Sequence, residues 1–136
     1  MALYTPMHLE LLVERWSAIG SLVFGVSHLL YPGKWAALFL PLRERESGGL
    51  LVATFNLPLG LAIVLAHNVW VWDLRVIVTL AGWAMVAKSV GYLLFPRALS
   101  VVMPAPERIE RGFRIAGGVM IVLGALLAYV PFYPRF

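Results

Sequence analysis

Five side chains with hydrogen-bonding chemistry stand inside segments that are otherwise apolar: Lys88, Asn56, His28, Tyr92 and Thr54. Lys88 is the most demanding, because a lysine at mid-helix in hydrocarbon costs about 2.5–3.5 kcal/mol and such residues face a bundle interior or a cavity. It carries three donors and no acceptor, so it needs oxygens. The seven acidic residues fall in termini, loops or helix ends, and the sequence names no carboxylate partner for it. Lys88 is then neutral, bonded to backbone and amide oxygens, drawn toward cytoplasmic phosphates, or paired with an anionic ligand. One carbonyl is free to help: Pro58 has no N–H, which leaves the Thr54 carbonyl without its intrahelical donor. The expected site has Lys88 pointing at the Thr54 carbonyl and the Asn56 side-chain oxygen, with His28 or Tyr92 beside them.

Plainer roles compete with that site. A long lysine stem snorkels, a histidine near a helix end serves as an interface hydrogen bonder, and an asparagine acts as interhelical glue. His67 stands beside Asn68 and Trp70, where a histidine either meets water or binds a metal or haem. With three histidines and no cysteine in the chain, no multi-ligand metal spacing is present, and thiolate zinc, iron–sulfur and disulfide chemistry are excluded. No phosphate-binding glycine loop, His-Glu-x-x-His or paired intramembrane carboxylates occur, so no catalytic residue is assigned.

The elements that must position these residues are hydrophobic blocks. Of 136 residues, 61% are apolar and 13% charged, far from the balance of a soluble domain. The apolar character recurs over about residues 9–31, 48–67, 72–95 and 111–129. Each block is about 20 residues long, which at ~1.5 Å per residue matches a ~30 Å hydrocarbon core. The expected fold is all-α: a four-helix integral membrane bundle forming one transmembrane domain over residues 1–136. The net charge of +4 reads as topology signal rather than as a nucleic-acid footprint. Lys34, Arg43 and Arg45 follow the first block and Arg97, Arg108, Arg111 and Arg114 follow the third, against Arg15, Arg75 and Arg135 opposite. The positive-inside rule makes both charged loops cytoplasmic and both termini external, with Trp70 and Trp72 in an outer aromatic belt.

Small residues mark the faces that turn toward other helices: Ser17, Ser21, Gly25 and His28; Gly49, Ala53, Asn56 and Gly60; Ala81, Ala84, Lys88 and Gly91; Gly117, Gly124 and Ala128. Lys88 lies eight residues before Pro96 and Asn56 eight after Gly48, which sets both about 12 Å into the core from the cytoplasmic side; His28 is about 6 Å deep. The halves also resemble each other. Ser27 to Pro32 (SHLLYP) matches Gly91 to Pro96 (GYLLFP), Glu44-Arg45 matches Glu107-Arg108, and Gly49 matches Gly112. Such a pattern reads as a tandem repeat of two helical hairpins, related by an axis along the membrane normal. Pro32 and Pro96 stop their helices, and the stretches at 34–39 and 97–102 read as short amphipathic segments lying in the interface.

Gly25-Val26-Ser27-His28-Leu29-Leu30-Tyr31-Pro32 with Trp35, followed by Asn56 to Gly60, resembles the DoxX-like group of small bacterial four-helix membrane proteins. That group ends its first helix with Gly-x-x-His-x-x-x-Pro. Asn56 stands where many members carry a glutamate, and an amide does not supply that acid's proton chemistry. His67 to Trp70 and Gly82 to Pro96 are similar to uncharacterised bacterial integral membrane proteins of this size. The resemblance implies quinone-linked oxidoreductase subunits or accessory membrane factors, and the cysteines of the thiol-redox relatives are absent.

These residues together point to a multi-pass protein of the bacterial cytoplasmic membrane, surrounded by lipid and assembled as a homo-oligomer or as a subunit of a membrane complex. Its expected role is non-enzymatic: holding a lipid-like or quinone-like molecule at Lys88, Asn56, His28, Tyr92 and Thr54, with quinone the one cofactor implied. Two alternatives stay open, an oligomeric transporter or channel selecting anions at Lys88, and a membrane subunit of a redox enzyme.

Overall fold

The computed structural model describes residues 6–132; Arg135 and the ends of the expected 1–136 domain lie outside them. The described chain is all-helical: α1 Pro6–Leu30, α2 Pro32–Glu44, α3 Gly48–Ala66, α4 Arg75–Leu94, α5 Ala98–Val102 and α6 Pro106–Phe132. Three helical stretches, Gly48–Ala66, Arg75–Leu94 and Pro106–Tyr129, are long and apolar enough to cross a membrane. α1 is as long as any of them, but Glu10, Glu14, Arg15 and His28 interrupt its apolar character.

Prolines set several of the boundaries. Pro32 is the first residue of α2 and Pro106 the first of α6, where the missing N–H has no intrahelical partner to lose and the fixed φ suits the helix. Glu107 adds a negative charge to the first turn of α6, which the helix dipole favours. At the start of α4 the Asp73 carboxylate accepts the Arg75 backbone N–H at 2.8 Å. Pro41 and Pro58 lie within α2 and α3 without ending them.

Two tight pairs make up the bundle, α1 on α6 and α3 on α4. Small residues allow both approaches. A Cβ on Gly25 would come within 2.9 Å of the Gly117 carbonyl oxygen, and one on Gly124 within 3.0 Å of the Leu22 nitrogen. In the second pair a Cβ on Gly60 would meet Val86 at 3.0 Å and one on Gly82 would meet Ile63 at 2.5 Å. For α4 the packing face differs from the expected stripe. Gly82 and Ser89 are buried, while Ala81, Ala84 and Lys88 are exposed and a Cβ on Gly91 would meet nothing. The reason is rotation: Gly82 offers the closer approach to α3, and this turns the column through Ala81 and Lys88 toward the space between the two pairs.

The pairs touch one another far less than they touch internally. A fissure separates them, crossed at one end by α2 and α5 and at the other by a buried polar cluster. The residues that pack across this space are few: Ala18, Ile63, Val78 and Leu127 at the far end, and Ala53, Tyr92 and Leu99 near α5.

Candidate functional site

At the end of the fissure beneath α2 and α5 lies a cavity of about 390 Å³. Every helix except α1 contributes to its wall, with Phe39 from α2, Val52 and Asn56 from α3, Lys88 and Tyr92 from α4, and Ile109, Phe113 and Ala116 from α6. The helical spacing is what brings these together: Lys88 and Tyr92 are one turn apart on α4, as are Val52 and Asn56 on α3. Tyr92 is buried at 3% exposure, Asn56 is half-buried, and Lys88 is exposed toward the open side.

Among the described residues, none of Lys88, Asn56 and Tyr92 has a hydrogen-bond or ion-pair partner. No acidic side chain among the described residues lines the cavity. It thus presents an ammonium, an amide and a phenol within apolar walls, a set that suits oxygen-bearing groups.

Two expected members lie elsewhere. Thr54 is exposed and its hydroxyl donates to the Leu50 carbonyl at 2.7 Å; neither its side chain nor its carbonyl bonds Lys88. Two residues correspond to about 200° around a helix, so Thr54 and Asn56 share a depth and face opposite ways. His28 is buried one aromatic layer behind the cavity. Its Nδ1 donates to the Phe24 carbonyl at 2.6 Å, and its ring stacks on Trp35 with centroids 4.4 Å apart and lies 5.2 Å from Phe113. Trp35 in turn donates from its indole nitrogen to Ser27 Oγ at 2.9 Å. This group clamps the start of α2 onto α1 and α6, and only Phe39 and Phe113 belong to both the clamp and the cavity wall.

At the opposite end of the fissure stands a cluster that the sequence reading did not assemble. Glu14, His67 and Thr79 are 1%, 0% and 0% exposed. His67 Nε2 donates to Glu14 Oε1 at 3.0 Å, and His67 Nδ1 is 3.0 Å from Thr79 Oγ1. Thr79 Oγ1 also accepts the Val69 N–H at 3.0 Å and lies 3.0 Å from the Val69 carbonyl. Two expectations are corrected here: His67 does not meet water at an interface, and one carboxylate, Glu14, is buried inside the bundle. The signal was present in α1, where Glu14 heads the same column as the buried Ala18, Gly25 and His28, one turn beyond the small-residue stripe.

The order carboxylate, imidazole, hydroxyl matches that of a nucleophilic triad. Here, however, the hydroxyl is closed off from approach and its lone pairs and proton are taken up by the 67–69 backbone and the imidazole. What the cluster does is join α1, the connection after α3, and α4. Among the described residues no three His, Cys, Asp or Glu side chains come together.

Compared with known proteins, the chain matches no family model, no curated protein and no solved structure.

Proposed function

We propose that this chain is a multi-pass membrane protein in which α1, α3, α4 and α6 all cross the bilayer, and that it holds the oxygen-bearing head of a lipid-like or quinone-like molecule in the cavity lined by Lys88, Asn56 and Tyr92. One observation carries the reading: three polar side chains from two helices line one cavity and have no partner among the described residues. A protein that gained nothing from a lysine there would be better served by an apolar residue. The role is binding, as an accessory or ligand-holding module, rather than catalysis. Closure of the far end by Glu14, His67 and Thr79 favours holding a molecule over conducting one.

The same proposal includes the bacterial cytoplasmic membrane as location, with α2 and α5 on the cytoplasmic side, both termini external, and a homo-oligomer or larger complex as the working state. It retains the likeness to the DoxX-like group. The tandem repeat of hairpins belongs here too, and the packing supports it. Gly60 approaches Val86 and Gly124 approaches Leu22, two contacts whose partners are each displaced by 64 positions, so α3 on α4 repeats α6 on α1.

Native mass spectrometry of the full chain from mild detergent tests the reading. A retained lipid or quinone mass on the wild type, lost in a folded Lys88→Met variant, is the expected result. Equal retention by both would overturn it.

A further inference from the structure

A second cavity, of about 420 Å³, lies between all four long helices. Its wall is mostly apolar, with Trp16 and Phe24 from α1, Leu59 and Ile63 from α3, Met85 from α4 and Leu127 from α6, and the hydroxyls of Ser17 and Ser21 are its polar side-chain groups besides the Trp16 indole N–H. It lies next to the first cavity along the same helix columns. Asn56 of the first and Leu59 of the second are one turn apart on α3, Lys88 and Met85 one turn apart on α4, and Ala116 and Met120 one turn apart on α6. The two walls share no residue, and Lys88 and Asn56 are the members of the first wall that stand nearest to the second along α4 and α3. Beyond them the fissure is mostly apolar, with Ser17 and Ser21 on the α1 side, and the buried Glu14, His67 and Thr79 stand at its far end.

From Lys88 to Ile77, the last α4 residue on the second wall, the path is about 16 Å at ~1.5 Å per residue. Half of a ~30 Å hydrocarbon core is ~15 Å, the length of one leaflet's acyl chain. Among the described residues Lys88 is the only charged one on either wall, so the pair of cavities carries one cationic side chain with no acid to offset it, and a cation at that depth of a membrane span calls for a counter-charge.

We infer that the ligand is a single-chain anionic lipid, with its phosphate or carboxylate on Lys88 and Asn56 and its acyl chain threaded into the second cavity toward the Glu14–His67–Thr79 end. This rests on the reading of the first cavity as a head site and adds the charge of the head and the seat of the chain. A neutral quinone ring would use Asn56 and Tyr92 and leave the ammonium uncompensated. A diacyl lipid would have room for one of its chains only.

The test is a binding panel on the purified full-length chain in mild detergent, read by native mass spectrometry and by thermal shift. The probes are hexadecyl phosphate, palmitate, hexadecylphosphocholine and decylubiquinone. Hexadecyl phosphate or palmitate should bind at least roughly tenfold more tightly than the zwitterionic probe, and the stronger of the two identifies the head as phosphate or carboxylate. Ala81→Phe, which fills the second cavity, and the milder Ala81→Met should each weaken the 16-carbon anion while leaving Lys88-dependent binding of butyl phosphate in place. If Lys88→Met changes the binding of no probe, both the head site and its extension fall. If Lys88→Met abolishes binding but folded Ala81→Phe and Ala81→Met bind the long chain as the wild type does, the chain is seated elsewhere and only this inference falls. Preference for decylubiquinone over both anions overturns it as well, with the head site intact.

Discussion

The fissure between the helix pairs has polar groups at both ends, and they are satisfied in opposite ways. At the Glu14 end a carboxylate, an imidazole and a hydroxyl are each 1% exposed or less and bonded to one another or to backbone. At the Lys88 end an ammonium, an amide and a phenol line an open cavity and bond no described residue. In a low-dielectric setting a fully connected polar network fixes one arrangement of the chain, whereas unpaired groups are costly unless something else meets them. The first end therefore acts as a clasp between α1 and the α3–α4 pair, and the second is the proposed receptor. Polar residues in the same bundle take different roles according to whether the protein itself completes their hydrogen bonds.

Mutations that break this contrast should separate stability from binding. The largest loss is expected for Glu14→Ala, which strands the His67 ring nitrogen inside the bundle and should cost about 3 kcal/mol, read from unfolding in mixed micelles. Ligand affinity per folded molecule should stay within a factor of about two, a margin well under the tenfold that 1.4 kcal/mol represents. Next, Gly60→Ala and Gly124→Ala each force a Cβ to within 3.0 Å of its neighbour and should cost about 1–3 kcal/mol through overpacking. Similar losses at the two sites are what a duplicated hairpin requires, and a large difference between them would count against it. Thr79→Val keeps the shape and removes the hydroxyl. It should cost about 1–2 kcal/mol by leaving the Val69 N–H unpaired, again without a change in ligand retention. Thr54→Val, on an exposed face, should change stability by less than about 0.5 kcal/mol and leave ligand retention as in the wild type; a loss of retention would return Thr54 to the site.

How far the sequence reveals this molecule depends on whether a property is local. Helical content, the shorter helices α2 from Pro32 and α5 after Pro96, and the proline boundaries follow from apolar run lengths and from a residue that cannot donate. The common position of Lys88, Asn56 and Tyr92 along one cavity follows from their depth and from turn spacing. Depth alone misleads where azimuth matters: Thr54 sits beside Asn56 in height and on the other side of α3. His28 was placed with Lys88 because both lie on small-residue stripes, but the return of α2 over α1 brings Trp35 onto its ring, a contact that no helical wheel contains. The Glu14–His67 bond joins residues 53 positions apart. It depends on how α1 leans on the end of α3, and Glu14 looks like an ordinary helix-end acid until that packing is known.

The central contrast is tested most directly by thermal unfolding of three full-length proteins, each with and without hexadecyl phosphate. Ligand that binds only the folded state raises Tm. The wild type should show that rise; Glu14→Gln should start lower and rise by the same amount; Lys88→Met should start at or above the wild type, having shed an unpaired cation, and show no rise. An equal ligand-induced rise in Lys88→Met, or a lost rise in Glu14→Gln, would contradict the assignment of receptor and clasp to the two ends.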